Sequence, residues 1–158
     1  AAFAKWWGQR TGGAWRLPAE LEWEKAGRGV DGRAYPWGDG FDPSWCNMKE
    51  SHRGRHLPVP TGTYTVDESV YGVRDMAGNV REWTATLHQA NSDARDGERL
   101  VLPRDAGASD APMVARGGGW VGVARDARLA TRGRYAPSLR FSVLGFRLAR
   151  SLGEESAR

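Results

Sequence analysis

Cysteine is almost absent from this sequence, which has Cys46 alone among its 158 residues. A single cysteine excludes an intrachain disulfide framework and a cysteine-based zinc cluster. Histidine is also scarce, with three residues, and His52 and His56 stand four apart in a stretch of loop character, which does not favour a helical pair of metal ligands. The composition therefore provides no strong cysteine or histidine metal set.

Long apolar runs and runs of basic residues are both missing. No stretch approaches the length that spans a bilayer, and no signal peptide is visible in a chain that begins at Ala1. We therefore predict no membrane segment and draw no prediction about location. The formal net charge of +4 could suit nucleic acid, but the arginines are interleaved with acids, so we predict no nucleic-acid binding. Arginine outnumbers lysine by 20 to 3, which fits structural arginine–carboxylate pairs.

The composition is otherwise typical of one globular domain that is rich in loops. Hydrophobic residues make up 40% of the chain and charged residues 27%, and 21 glycines and eight tryptophans favour turns with aromatic anchors. Two helices are predicted, one over residues 2–9 and one that begins near Pro18 and ends at Gly27 to Gly29. Short strands are predicted near Val59, Tyr64 and Val66, and residues 92–110 look like an exposed loop.

Five residue types are missing from residues 121–147. Lysine, glutamate, glutamine, methionine and tryptophan together make up 25 of the 158 residues, so about four are expected in a stretch of this length, and none occurs. These are five types that a codon ending in a pyrimidine cannot encode. The gap indicates either chance and loop composition or codons randomised at their first two bases. The stretch also lacks a sustained helical or strand period, which is typical of a functional loop.

A second informative stretch runs from Asp75 to Trp83 and places Asp75, Asn79 and Glu82 around Gly78. Carboxylate, amide and backbone oxygens at this spacing suit a hard cation such as calcium. The same residues equally suit a turn whose side chains satisfy the backbone. The spacing leaves both interpretations open.

Five motifs, in order, resemble the formylglycine-generating (sulfatase-modifying factor) family: Arg16 to Glu24, Tyr35-Pro36-Trp37-Gly38, Tyr71 to Trp83, Arg116-Gly117-Gly118-Gly119-Trp120 and Gly145-Phe146-Arg147. The resemblance implies an α+β fold of the C-type lectin type, in the formylglycine-generating-enzyme subclass, with a small twisted antiparallel sheet, two helices and long irregular loops. We expect this domain over residues 1–150, without its usual N-terminal part, followed by a polar tail over residues 151–158.

The family's chemistry carries over only in part. Its oxidases bind copper through two cysteines shortly after the glycine-rich motif, whereas Val121 to Ala127 follow here, so we expect no copper and no enzyme activity. The resemblance favours the calcium interpretation more than the spacing does, and it implies structural Ca²⁺ ligands at Asp75, Gly78, Val80 and Glu82.

Residues 116–150 also resemble the variable region of a bacterial diversity-generating retroelement protein, in which error-prone copying of a template exchanges residues on a fixed scaffold. This resemblance implies a non-catalytic receptor for an unknown protein or other macromolecular ligand. The scaffold is expected at Trp120, Arg125, Arg128, Arg132, Arg140, Phe146 and Arg147. The exchangeable ligand-binding positions are expected at Val121, Gly122, Val123, Asp126, Thr131, Gly133, Tyr135, Leu139, Phe141, Ser142, Val143 and Leu144. The alternatives are an oxidase relative with altered metal ligands and a regulatory or sensor domain of a signalling protein.

Overall fold

The computed structural model describes residues 2–88 and 110–151, together with the backbone of two short strands at 95–96 and 99–100. The helices are α1 (Ala2–Thr11) and α2 (Glu20–Arg28), with 3₁₀ turns at Pro43–Trp45 and Ala124–Ala127. The strands are β1 (Trp15–Arg16), β2 (Arg81–Leu87), β3 (Arg95–Asp96), β4 (Arg99–Leu100), β5 (Met113–Arg116), β6 (Gly133–Tyr135), β7 (Leu144–Gly145) and β8 (Ala149–Arg150). No helix among the described residues is long and apolar enough to cross a bilayer.

Helix α2 forms where the sequence predicts it. Glu22 accepts a hydrogen bond from the backbone N–H of Ala19 (2.8 Å), which satisfies a donor at the helix start, and its acidic first turn suits the positive end of the helix dipole. Gly29, at φ 63°, ends the helix in a conformation that costs a glycine little. Trp23 and Gly27 are buried, so this face of α2 packs against the domain core.

The main sheet has four strands in the order β6-β5-β2-β7. The alternating burial of β2 assigns its two faces. Glu82, Thr84 and Thr86 are buried toward α2, while Arg81 and Trp83 point to the opposite face and are half-buried. The guanidinium of Arg81 on that outer face lies near Asp126. β1 and β8 form a separate antiparallel pair, as do β3 and β4.

Two small apolar clusters form the core. Trp23, Met76 and Leu129 make one, and Gly27 permits it, because a Cβ at this position would lie 2.5 Å from the Leu129 side chain. The other contains Tyr35, Cys46, Met48, Ala77 and Ala127. Residues of the C-terminal segment, here defined as residues 116–150, therefore enter both clusters through Leu129 and Ala127.

The α+β fold with two helices is confirmed, with two differences in detail. The sheet is mixed rather than wholly antiparallel, since β2 and β7 run parallel. The predicted strands near Val59, Tyr64 and Val66 are wrong, because all three residues lie outside strands. The carbonyls of Tyr64 and Val66 accept the N–H groups of Asp67 and Glu68 in tight local bonds.

Two other predictions fall largely beyond the described residues. Most of the predicted loop at 92–110 lies outside them, apart from strands β3 and β4, and so does the predicted polar tail after Ser151.

Candidate ligand-binding surface

Three parts of the C-terminal segment meet around Arg81 on the outer face of the sheet. The Arg81 backbone N–H donates to the carbonyl of Val143 (2.7 Å), and its guanidinium lies 3.7 Å from the Asp126 carboxylate. A Cβ on Gly133 would lie 3.4 Å from the same guanidinium. The fold thus brings together the parts near residues 126, 133 and 143, which are separated in sequence.

Arg116 anchors the start of the C-terminal segment inside the domain. Its side chain is fully buried over the Trp23 ring, pairs with Glu24, and lies 3.5 Å from Glu20. It also donates to the carbonyls of Ala130 (3.0 Å) and Thr131 (3.2 Å). Burial lowers the Arg116 pKa, and the two glutamates oppose that effect. This arginine therefore joins α2, β5 and the loop before β6.

Two further arginines fix the middle and the end of the C-terminal segment. Arg132 donates to both carboxylate oxygens of Glu20, at 2.6 and 3.0 Å. Arg147 donates to both oxygens of Glu82, at 2.5 and 2.8 Å, and to the carbonyls of Arg74 and Asp75. All three anchors use a carboxylate that lies outside the C-terminal segment, so the backbone of this segment is held by residues that do not belong to it.

The predicted scaffold is therefore correct for Arg132 and Arg147 and wrong for Arg125, Arg128 and Arg140, whereas Trp120 and Phe146 both contact other parts of the domain. Arg125, Arg128 and Arg140 are exposed, and Arg140 donates only to the nearby carbonyls of Ser138 and Leu139 among the described residues. Phe146 is 48% exposed and packs on Phe3 of α1, 5.4 Å between ring centroids. Trp120 is half-buried, with its backbone N–H bonded to the Asn79 carbonyl.

Eleven of the twelve predicted exchangeable positions lie at least partly at the surface. Val121, Leu139, Phe141 and Ser142 are exposed, with Val121 51% and Phe141 53% accessible. The half-buried positions are Gly122, Val123, Asp126, Thr131, Tyr135, Val143 and Leu144. Only Gly133 among the twelve is buried. Together these twelve positions are called the patch below.

Some patch positions have structural neighbours that restrict replacement. A Cβ on Gly133 would lie 2.6 Å from the Tyr135 ring and 3.2 Å from the carbonyl oxygen of Ala115, so a larger residue requires the ring to move. Tyr135 in turn packs edge-on against Trp83. Asp126 accepts the Val123 backbone N–H (3.1 Å) besides facing Arg81.

The proposed calcium ligands lie in a tight, internally bonded turn. Glu82 accepts hydrogen bonds from the indole N–H of Trp23 (2.7 Å) and from Arg147, and an Asp75 oxygen accepts the Gly62 N–H (2.8 Å). Gly78 is packed so closely that a Cβ would lie 2.3 Å from the Asn47 carbonyl oxygen. The predicted ligands are Asp75, Gly78, Val80 and Glu82. In this arrangement Arg147 pairs with Glu82, so a calcium ion at these residues would compete with the guanidinium for that carboxylate.

The geometry matches the alternative interpretation, a turn whose polar groups satisfy the backbone. Asn79, at φ 54°, accepts the Val59 N–H (2.9 Å) and donates to the Val59 carbonyl (3.1 Å). Buried Asp67 accepts the N–H groups of Met76 (3.2 Å) and Ala77 (2.9 Å). Its burial raises the pKa of Asp67 to about 7, although those hydrogen bonds act in the opposite direction.

Cys46 lies in the core, away from solvent. It is fully buried, and burial raises the pKa of its thiol to about 12, so the thiol stays protonated at neutral pH. No group of three or more histidine, cysteine, aspartate or glutamate side chains suited to a metal occurs in the described part of the chain. The described residues therefore do not assemble the thiolate pair on which copper chemistry of the oxidase type depends.

Comparison with protein-family models matches residues 1–152 to the sulfatase-modifying factor enzyme 1-like domain. The chain is 33% identical over 167 residues to inactive C-alpha-formylglycine-generating enzyme 2 of Mus musculus, covering 96% of this chain and 46% of that protein. It is 33% identical over 154 residues to serine/threonine-protein kinase Pkn1 of Chlamydia trachomatis, covering 93% and 23%. The chain thus spans less than half the length of these curated relatives.

Solved structures share the fold. Treponema denticola variable protein 1 has a TM-score of 0.69 and 26% identity, with 87% of this chain and 48% of that chain covered. PvdO from Pseudomonas aeruginosa has a TM-score of 0.77 and 27% identity, with 96% and 58% covered. The two structures confirm the C-type-lectin-like architecture of the formylglycine-generating subclass.

Proposed function

Because the chain belongs to the family of sulfatase-modifying factor enzyme 1-like domains, we propose that it is a non-catalytic, receptor-type member that binds a macromolecular ligand through the patch. We further propose that the patch is hypervariable and arises by retroelement-templated mutagenesis. The observation that carries the proposal is the coincidence of two independent properties. The stretch that lacks five residue types also carries exposed side chains. Its backbone is held in place by ion pairs between its own arginines and glutamates outside the C-terminal segment.

Several features support a binding role over catalysis. The chain has one cysteine, which is buried with a protonated thiol, so the oxidase cysteine pair is absent. The likeness to a protein named as variable protein 1 supports the variable-patch interpretation. Exposed Val121, Leu139 and Phe141 provide apolar contact area at the surface, which is typical of protein-binding sites.

A paired substitution tests whether the patch is free of structural duties. V121D/F141D replaces two side chains that are each more than half exposed. Because neither side chain belongs to a buried core cluster, we expect the free energy of unfolding to change by less than about 2 kcal/mol. The matched control is L129D, which places a charge in the core and is expected to unfold the domain. Unfolding of V121D/F141D would count against the display model.

Sequencing the DNA around the gene tests the origin of the diversity. The proposal expects a reverse-transcriptase gene and a near-copy of the segment rich in AAC and AAT codons. A neighbourhood without either would remove hypervariability and leave a fixed ligand-binding domain. Assays of copper binding and thiol-dependent oxygen consumption test the oxidase alternative, and we expect no signal in either.

The likeness to Pkn1 favours a second candidate, a regulatory or sensor domain within a signalling protein. This candidate predicts a kinase domain in the same open reading frame and a C-terminal segment that is identical between strains. Sequencing the gene from several isolates separates the two candidates, since only the first predicts differences concentrated at the patch.

A further inference from the structure

The positive charge of this protein is concentrated in its C-terminal segment. Residues 116–151 contain eight arginines and one acid, Asp126, a formal charge of +7. The remainder of the chain contains fifteen basic and eighteen acidic residues, a formal charge of −3. The net charge of +4 therefore comes entirely from the segment that carries the patch.

The internal pairing of these arginines decides how much of that charge faces a partner. Arg116, Arg132 and Arg147 pair with glutamates outside the segment, and Arg150 lies over the Trp15 ring. The remaining four are exposed and, within the described structure, form no ion pair with a carboxylate: Arg125, Arg128, Arg134 and Arg140. Arg134 pairs in register with buried Val114, so it points to the sheet face opposite Tyr135, and the exposed arginines of the patch-bearing loops are Arg125, Arg128 and Arg140. Asp126, the one acid, faces Arg81 and the Val123 N–H instead of solvent-exposed arginines. Unpaired positive charge thus remains along the segment's surface.

We propose that the partner recognised by this surface is a protein with an acidic, aromatic-bearing face. The inference rests on the proposed ligand-binding function and names the chemistry of its ligand. Exposed arginines attract carboxylates, and exposed apolar residues stand beside them in the sequence, since Leu139 and Phe141 flank Arg140. Arginine also stacks on aromatic side chains, which makes tyrosine-bearing acidic surfaces better partners than purely acidic ones. A nucleic acid satisfies the charge, and its bases can stack on Phe141, but it matches exposed Val121 and Leu139 less well than a protein surface does.

Three polyanions of matched charge serve as probes: a random glutamate–tyrosine copolymer, polyglutamate and a thymidine oligonucleotide. Fluorescence anisotropy of labelled probes gives the affinities. We expect the glutamate–tyrosine copolymer to bind most tightly, with an affinity that falls as salt rises. Tighter binding of the oligonucleotide, or no salt-dependent binding of the copolymer, would overturn the inference.

Paired variants locate the binding site. R125Q/R140Q removes two exposed charges from the segment and is expected to weaken copolymer binding about tenfold. R53Q/R55Q removes two exposed arginines outside the segment and is the matched control, expected to change the affinity less than about twofold. Equal losses in both variants would overturn the assignment to this surface.

The folding test keeps this inference separable from the proposed function. If V121D/F141D folds but the copolymer does not bind the parent protein, the patch remains a display surface and its partner is not acidic. If V121D/F141D unfolds, the display model itself fails.

Discussion

Glu82 is a largely buried carboxylate that connects two elements of the fold. It is 7% exposed, and its two oxygens receive N–H donors from Trp23 and Arg147. The carboxylate therefore connects α2 to the end of the C-terminal segment. A residue that the family resemblance assigns to a cation acts here as the acceptor for an arginine.

Replacement of this carboxylate should be costly. E82Q leaves the Arg147 guanidinium without its counter-charge in a largely buried place, so we expect the free energy of unfolding to fall by about 2–4 kcal/mol. Urea denaturation measures the change. E68Q is the control, because the Glu68–Arg74 pair is well exposed and contributes about 0–1 kcal/mol. A loss in E82Q no larger than in E68Q would contradict the anchoring role.

Calcium addition separates the two roles of Glu82. With Arg147 in place, calcium at about 1 mM should leave the melting temperature unchanged, because the ion would have to displace a guanidinium. A clear rise in melting temperature that disappears in E82Q would restore the calcium interpretation.

Asp67 predicts a pH dependence of stability. Burial raises the folded-state pKa of Asp67 to about 7, above the ordinary aspartate pKa of 3.8, so between these pH values the folded protein binds one more proton than the unfolded chain. The contribution of Asp67 to the free energy of unfolding is therefore fully present below the unfolded-state pKa and is lost as the pH rises toward 7. In that window the free energy of unfolding falls by up to about 1.4 kcal/mol per pH unit. In D67N that component is absent. Urea denaturation between about pH 4 and pH 7 should show a smaller decline for D67N than for the parent. Parallel curves would contradict the raised pKa.

Among the elements, α2 and the C-terminal segment depend on each other. Arg116 reaches from β5 to Glu24 on α2 and holds the carbonyls of Ala130 and Thr131. Glu20 on the same helix pairs with Arg132. Helix α2 thus provides the carboxylates that order the loop before β6.

Loss of Arg116 should loosen that loop before it affects distant elements. R116M leaves Glu24 and Glu20 short of a buried counter-charge, and we expect a loss of about 3–5 kcal/mol. Hydrogen exchange should accelerate at the N–H groups of Leu129 and Thr131, which bond to the carbonyls of Ala34 and Arg128. The control R134M changes an exposed arginine of β6 and should leave both amides protected. Exchange that is uniform across the chain would favour a purely global effect.

The sequence predicted elements where local chemistry decided them. Helix α2 was predictable because proline, acidic residues and glycine mark its ends. Arg116 was missed as an anchor, although Glu20 and Glu24 stand one helical turn apart and signal a buried basic partner. The contact of Phe146 with Phe3 fits its predicted scaffold role, but a glycine-flanked aromatic gives no sign of which neighbour covers it. The apolar residues Val59, Tyr64 and Val66 suggested strands, but the carboxylate of Asp67 and the amide of Asn79 organise that region as turns.

At the scale of the whole molecule, the reactivity of the buried Cys46 thiol reports unfolding of the domain. It is inaccessible in the folded state, and its raised pKa further suppresses the reactive thiolate. We expect labelling by a thiol reagent to be at least about a thousandfold slower in native buffer than in denaturant. E82Q should label faster in proportion to its lost stability, while E68Q should match the parent. Rapid labelling of the native protein would contradict the buried position of this thiol.

The anchoring of the C-terminal segment at Arg116, Arg132 and Arg147 also constrains chain length. The chain length between two anchored arginines is fixed, so a residue between them can be exchanged but not added. A diversifying process compatible with this architecture must exchange codons one for one. An inserted or deleted residue between two anchoring arginines would shift the next arginine away from its glutamate. Length polymorphism should consequently be rare here even where residue identity differs at every exposed site.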